Sequence, residues 1–268
     1  MKDSLGTLEV YSTDQGYEIR VPRGQDESLS QMAMRGILGG ISGGDAVFKE
    51  DEKRQVYRFG DVVVKVNLLP RLKDKLRAKN LAPEEAKGHL MFEEAGIGCT
   101  KLIAYFERRV LGLTLRNGIV EEYLSGYREL RACDSELAVP VLLEMHRLGL
   151  YHPDFKHENL MTHEESGDTR IIDLEYCRRV PPGDMGALLM QAQRYIEYNV
   201  VGGEKTVTPQ ALQDVHAARF ANKLFDALQS QSWSRADFMT ALETLLSRHR
   251  TTRERLGIVL PDGLLKEQ

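Results

Sequence analysis

The chain has 268 residues, 42% of them hydrophobic, and a formal net charge of −4. That is enough apolar material for a two-lobed domain or two small domains, and the mild acidity excludes bulk electrostatic capture of nucleic acid. Cys99, Cys133 and Cys177 stand apart with no Cys-x-x-Cys pair, which excludes a disulfide framework or zinc knuckle and predicts a reducing, cytoplasmic setting. No apolar run follows Met1-Lys2-Asp3-Ser4 and none reaches about eighteen residues, so neither a signal peptide nor a transmembrane segment is expected.

Leu8–Ser12 and Tyr17–Val21 alternate apolar and polar residues around Thr13-Asp14-Gln15-Gly16, which predicts an extra hairpin at the N-terminus, within residues 1–45. Ser28–Ile37 reads as a short helix. The glycines of Gly39-Gly40-Ile41-Ser42-Gly43-Gly44 then interrupt regular structure. They fit either a phosphate-cradling loop or a flexible link. The link is preferred because three strands follow at once, over Ala46–Lys49, Gln55–Phe59 and Val62–Val66. The loop left to cover a bound phosphate is then the glycine-free Glu50-Asp51-Glu52-Lys53-Arg54.

Lys65 places one long cation in the apolar strand Val62-Val63-Val64-Lys65-Val66. It either faces solvent or turns toward a partner, and the second is preferred because a helix carrying acids follows, from about Pro83 to Glu94 with Gly96 closing it. Glu85 is preferred over Glu84 as that partner, since His89 and Phe92 share its face at i+4 and i+7. Either acid also suits the helix macrodipole with no partner at all. Leu102–Arg109 and Gly118–Leu124 read as two further strands, and Glu122, Tyr123 and Leu124 fall where one lobe hands over to the next at Ser125-Gly126. Ser135–Leu148 carries Leu137, Val141, Leu142, Met145 and Leu148 on one stripe, with Gly149 as its stop. Past Pro181 three helices are predicted: near Asp184–Tyr198, from Thr208-Pro209, and from Ser234, with Asp237 three residues on. Arg248, Arg250, Arg253 and Arg255 lie on the last, either as a solvated face or as a patch that meets an anionic glycolipid.

Between these helices lies Tyr151-His152-Pro153-Asp154-Phe155-Lys156-His157-Glu158-Asn159-Leu160-Met161, then a Gly167-Asp168 turn and a strand over Thr169–Ile172. Asn159 follows Asp154 by five residues, and Asp173 follows Asn159 by fourteen. That is the layout of phosphoryl transfer in kinases. One Asp accepts the proton of an attacking hydroxyl, an Asn and a second Asp hold Mg²⁺, and a strand Lys paired with a helix Glu meets the nucleotide phosphates. The chemistry asks for convergence of oxygen groups on one phosphate and little beyond positioning and charge neutralisation. On this reading Asp154 is catalytic, Asn159 and Asp173 are metal ligands, Lys65 and Glu85 are the phosphate-side pair, and the backbone of Glu122, Tyr123 and Leu124 meets the adenine edge. Lys156 either neutralises the transferring phosphate, the preferred role, or is a surface-loop lysine. His152, His157 and His163 match no metal-ligand spacing, and His152 is expected to pack and bond the loop backbone. No Gly-x4-Gly-Lys-Ser/Thr or Gly-x-Gly-x-x-Gly competes for a nucleotide.

Lys65, Glu85, His152-Pro153-Asp154, Asn159 and Ile172-Asp173 resemble the protein-kinase-like superfamily over about residues 46–200. The resemblance is closest to its bacterial lipopolysaccharide kinase branch, which phosphorylates Kdo or heptose. Three features point there: His-Pro-Asp in place of His-Arg-Asp, Asp173-Leu174-Glu175 in place of Asp-Phe-Gly, and no Ala-Pro-Glu. Choline and aminoglycoside kinases share the skeleton. The resemblance implies an α+β, two-lobed fold. Residues 1–124 would form an N-lobe with a small antiparallel sheet and one helix, and residues 125–268 a short, mainly helical C-lobe. It also implies ATP and Mg²⁺ as cofactors and a hydroxyl acceptor outside proteins, a lipopolysaccharide core sugar, met in the cytoplasm or at the inner face of the membrane. A small-molecule or protein kinase and a nucleotide-binding pseudokinase scaffold stand as alternatives. Retention of Lys65, Asp154, Asn159 and Asp173 together favours an enzyme.

Overall fold

Seven antiparallel strands form the main sheet of the computed structural model, which describes residues 8–69, 71, 81–200, 215–228 and 233–246. They are β1 (Leu8–Ser12), β2 (Tyr17–Pro22), β3 (Ala46–Glu50), β4 (Arg54–Phe59), β5 (Val62–Leu68), β6 (Leu102–Val110) and β7 (Leu113–Glu122), in the order β1-β2-β6-β7-β5-β4-β3. The N-terminal hairpin extends this sheet, because β2 pairs with β6 from Tyr17↔Arg108 to Arg20↔Tyr105. Two helices, where the kinase resemblance implied one, cover the sheet. Ala33 and Ile37 of α1 (Glu27–Gly39) pack on Val62, Val64 and Val66, whereas Ala82 and Ala86 of α2 (Leu81–Glu94) pack with Leu102, Tyr105 and Ile119. Alternate residues of the central strands therefore face different helices, and a strand buried on both faces reads as a near-continuous apolar run, as β5 does.

The glycine-rich segment between α1 and β3 holds a short turn. Ile41–Gly43 makes a 3-10 turn, and Ile41 packs with Phe59 on the apolar cluster beneath α1. The turn between β3 and β4 is shorter than the expected 50–54 loop, because Glu50 and Arg54 belong to the strands; Asp51 Oδ1 closes it by accepting from the N–H groups of Lys53 and Arg54 at 2.7 and 2.8 Å. All five residues of β3 are exposed, and its register with β4 shifts between Val47 and Lys49. At Gly118 on β7 there is no room for a side chain, since a Cβ would lie 2.0 Å from the carbonyl oxygen of Lys65.

The described residues divide into two compact units, one reaching Ser125 and taking in Asp173–Tyr176, the other made of Gly126–Ile172 and the residues from Cys177 onward. In the second unit β8 (Tyr127–Glu129), β10 (Leu160–His163) and β11 (Thr169–Ile171) form one small sheet, and β9 (Leu150–Tyr151) pairs with β12 (Arg178–Arg179). Strands β8, β9 and β12 are two or three residues long, too short to leave an alternating pattern in the sequence. The helices are α3 (Ala138–Leu148), α4 (Met185–Val200), α5 (Val215–Ala227) and α6 (Arg235–Leu246). The first turns expected of α3 are 3-10, over Ala132–Leu137. Ser234 caps α6 by accepting the Asp237 N–H at 3.1 Å. The Thr208-Pro209 start and the arginines at Arg248, Arg250, Arg253 and Arg255 lie outside the described residues. Among the described residues, no helix is long and apolar enough to cross a membrane.

Gly118→Ala should lower the unfolding free energy by about 2–3 kcal/mol in urea denaturation, because β5 and β7 have to part to admit one methyl group.

Candidate active site

Across β5 and β7, Lys65 is opposite Ile119 and Val63 is opposite Glu121, so Lys65 and Glu121 are diagonal neighbours on one face. Lys65 Nζ lies 2.8 Å from Glu121 Oε1 and 3.5 Å from Glu85 Oε1 on α2. All three residues are buried, and an ammonium so placed must be paired to stay charged. Burial works to strip its proton, but Glu121 and then Glu85 outweigh it and hold its pKa above the ordinary lysine value. Glu84 pairs instead with Lys87 at 2.9 Å, so of the two acids considered it is Glu85 that faces the lysine.

His89, one helical turn beyond Glu85, completes this group. Its Nδ1–H donates to the Thr100 carbonyl at 2.8 Å, and its Nε2 faces Glu121 Oε2 at 3.4 Å. A neutral ring would present a bare lone pair to that carboxylate. Burial opposes a charged ring, yet contacts with Cys99 and Glu121 prevail and push its pKa up to about 10. Lys65 and His89 in turn pull Glu121 down to about 2, against the effect of its own burial.

Arg54, expected in the turn over the phosphates, points inward from the first residue of β4. Its Nη2 sits 3.2 and 3.1 Å from the two carboxylate oxygens of Glu85 and 3.5 Å from Asp173 Oδ1, while Nη1 lies 3.6 Å from Glu175 Oε2. Helix α2 holds the same segment: Leu174 is fully buried, and a Cβ on Gly88 would lie 2.2 Å from the Leu174 carbonyl oxygen. Asp173 and Tyr176 both have φ of 60°, a left-handed conformation that costs a non-glycine residue about 1–2 kcal/mol and persists only where its surroundings impose it. Glu85, Asp173 and Glu175 bring carboxylate oxygens within 4.8 Å of one another. Burial raises the pKa of Glu175, and repulsion from Glu85 adds to this despite Arg54. Hard oxygen donors of this kind suit Mg²⁺.

In the second unit the loop after β9 is fixed from both ends. His152 is fully buried; its N–H donates to Gln191 Oε1 of α4 at 2.8 Å, its Nδ1 accepts the Asp154 N–H at 3.1 Å, and its Nε2 lies 3.4 Å from the Ile172 carbonyl. The first ring contact requires a bare Nδ1, so the proton is on Nε2 and is donated to Ile172. As expected from the sequence, His152 serves the loop backbone. Arg194 of α4 donates to Asp154 Oδ1 through Nη2 at 2.7 Å and Nε at 3.2 Å, and Lys156 Nζ lies 3.1 Å from Asp154 Oδ2 and 3.0 Å from Glu158. Asn159 Nδ2 donates to the Asp154 carbonyl at 2.9 Å and to Oδ2 at 3.3 Å, which makes the amide oxygen the atom suited to a cation. Burial works to raise the Asp154 pKa, and the Arg194 hydrogen bonds with Lys156 overcome it and hold the carboxyl below its usual range. Phe155 meets the Tyr195 ring at a tilt and Tyr195 stacks on Phe220, with ring centroids 5.7 and 4.5 Å apart.

At the end of β7, in the segment whose backbone is expected to meet adenine, two N–H groups are already bonded. Glu122 donates to the Lys101 carbonyl and Tyr123 to that of Asp61, each at 2.9 Å, because the sheet pairing continues past the strand end. The Tyr123 ring is covered by the Arg58 guanidinium at 4.0 Å and by Phe48, stacked at 6.4 Å.

No protein-family model matches the chain, and no curated protein sequence does. Solved structures do. The structure of WaaP in complex with acyl carrier protein aligns with 82% of this chain and 97% of its own, at a TM-score of 0.51 and 17% identity. The fold is protein-kinase-like. A choline/ethanolamine kinase family protein from Mesorhizobium loti aligns with 82% of this chain and 83% of its own at a TM-score of 0.47 and 13% identity. WbdD aligns with 74% and 50% at a TM-score of 0.44 and 17% identity.

Within this kinase-like fold the first unit gathers Lys65, Glu85 and Asp173, and the second gathers Asp154, Lys156 and Asn159. Three site residues escaped sequence reasoning, Glu121, Gln191 and Arg194, while Arg54 was expected in the loop over the phosphates and not among the acids. Gln191 and Arg194 did leave a signal, as polar residues three apart among Leu188, Leu189, Ala192 and Tyr195 on the buried stripe of a helix.

His89 titrates at about 10 in the folded protein and near 6.5 when unfolded. Because the folded value is the higher, its contribution to stability is complete below about pH 6.5 and declines as pH rises toward about 10, by up to about 1.4 kcal/mol per pH unit. Urea denaturation of wild type and His89→Gln between these limits should show a steeper alkaline loss in wild type; parallel profiles would refute the charged imidazole.

Proposed function

We propose that the protein is an ATP- and Mg²⁺-dependent phosphotransferase that phosphorylates a hydroxyl of a non-protein acceptor, a lipopolysaccharide core sugar. The observation that carries this reading is the setting of Asp154. Two cations and an amide converge on a carboxylate whose side chain is still 32% exposed. The sequence sets that acid in His152-Pro153-Asp154 with Asn159 five residues on, the layout of a kinase catalytic loop.

Asp154 stays ionised across the working pH range and serves to orient the acceptor hydroxyl and take its proton as the oxygen bonds to the γ-phosphorus and ADP departs. Lys65, fixed by Glu121 and Glu85, is offered to the α and β phosphates, and Lys156 to the transferring group. Asp173 and Asn159 are the residues proposed as metal ligands, and Mg²⁺ when bound would neutralise phosphate charge. Adenine recognition falls to Leu124 and to backbone carbonyl groups near it, since the N–H groups of Glu122 and Tyr123 are engaged. The acceptor class rests on His152-Pro153-Asp154, on Asp173-Leu174-Glu175, on the missing Ala-Pro-Glu, and on the fold shared with WaaP.

Purified protein should move radiolabelled γ-phosphate from ATP to lipopolysaccharide, and not to small alcohols or proteins. Asp154→Asn should lower kcat by about 10²–10⁴-fold with ATP affinity unchanged, whereas Asp173→Asn should impair both. Equal loss of ATP binding in the two variants, or a fully active Asp154→Asn, would overturn the assignment.

A further inference from the structure

Arg54 is the one charged residue of the Asp173 cluster that neither the sequence motifs nor the proposed reaction accounts for. It is three-quarters or more buried, with its side chain 18% exposed, and it touches three carboxylates at once: Glu85, Asp173 and Glu175. The three contacts are unequal. Both Glu85 oxygens accept hydrogen bonds from Arg54, but the separations to Asp173 and Glu175 are 3.5 and 3.6 Å, ion-pair distances without hydrogen bonding. Two buried atoms of this cluster, Arg54 Nε and Asp173 Oδ1, have no hydrogen-bond partner among the described residues. A guanidinium placed purely for stability would match its fork to a carboxylate, and leaving a buried acceptor unmet costs about 1–3 kcal/mol. The arrangement at Asp173 is therefore a loose one, held by charge. Without Arg54, Lys65 would be the one cation set against Glu85, Glu121, Asp173 and Glu175 in this part of the unit apart from His89.

We propose that Arg54 is a displaceable counter-cation. In the ion-free protein its guanidinium neutralises Asp173 and Glu175 while anchored on Glu85; when a divalent cation arrives at Asp173, Arg54 leaves that carboxylate and turns to the phosphates of the incoming nucleotide. This rests on the reading of Asp173 as a metal ligand. A dication and a guanidinium repel, so both cannot sit on one carboxylate without loss. Arg54 starts the strand directly after the Asp51-Glu52-Lys53 turn, so a small movement of that turn carries it. The consequence is ordered assembly: Arg54 weakens binding of the free metal ion and strengthens binding of the nucleotide, so the metal enters as its nucleotide complex.

The signs make this testable apart from any structural role, which would weaken both ligands together. Titration of the full chain with Mn²⁺ alone, followed by electron paramagnetic resonance, should show Arg54→Gln binding the ion at least about fivefold more tightly than wild type, the modest end of what a unit charge a few ångströms away exerts in a partly buried site. Metal-free ATP, titrated calorimetrically, should bind that variant at least about fivefold more weakly. Arg54→Lys, which keeps the charge, should stay near wild type for Mn²⁺. Unchanged or weaker Mn²⁺ binding by folded Arg54→Gln would overturn the proposal while leaving the kinase reading intact. Should that variant fail to fold, a crystal structure of the wild type with Mg²⁺ and a non-hydrolysable ATP analogue decides: Arg54 on a phosphate oxygen supports it, and Arg54 still on Asp173 refutes it. A wild type that binds neither metal nor nucleotide would instead overturn the kinase reading, and this inference with it.

Discussion

A lysine ammonium turned into the buried face of a valine strand has to be answered by carboxylates within a few ångströms, and much of the first unit follows from that requirement. Glu121 supplies one from the next strand, and Glu85 supplies the other from α2. Binding Glu85 fixes the rotation of α2, which brings His89 against Glu121 and Gly88 against Leu174. Leu174 in turn fixes the bend at Asp173. The absence of a side chain at Gly118 lets β5 and β7 close together behind Lys65. Charge compensation and helix placement are thus one problem, and removing Glu121 would leave the buried His89 without its carboxylate, a deficit of about 3–5 kcal/mol.

The second unit reaches a comparable rigidity through hydrogen bonds. His152 joins Gln191, Asp154 and Ile172, so its ring fixes where the loop starts relative to the strand that leads to Asp173. Arg194, three residues on from Gln191, then orients the Asp154 carboxylate. One helix thus holds the backbone of His152 and the side chain of Asp154 two residues on. Such preorganisation is what a reaction with little covalent participation by the protein depends on.

What the sequence disclosed and what it concealed divide along locality. Asp154, Asn159 and Asp173 were legible because their spacing lies within one short stretch, and Lys65 because a cation in a valine run is conspicuous. Glu85 was legible through its i+4 neighbour His89. Glu121 was not, since its meeting with Lys65 depends on the register of β5 against β7, a non-local quantity. The inward turn of Arg54 was hidden for a related reason: a residue ending a charged turn gives no sign that three acids from α2 and a distant segment wait beneath it. The N-terminal hairpin showed its own alternation and nothing of its pairing with β6. The glycines before β3 gave no sign of the 3-10 turn at Ile41–Gly43 or of the packing of Ile41 on the apolar cluster.

The shifted register of β3 bears on how the molecule behaves in company. This strand ends the sheet, with Val47 51% and Phe48 54% exposed, and an open edge of that kind offers its unpaired amides to any passing extended chain. Phe48 is the extra residue between the partners of Val56 and Tyr57, and its ring lies over Tyr123. An invading strand would find the ladder broken after two positions, then Lys49, Glu50 and Asp51 in succession. Straightening the bulge by deleting Phe48 would restore a continuous template, and the expected penalty is aggregation during synthesis, before any effect on the folded site is felt.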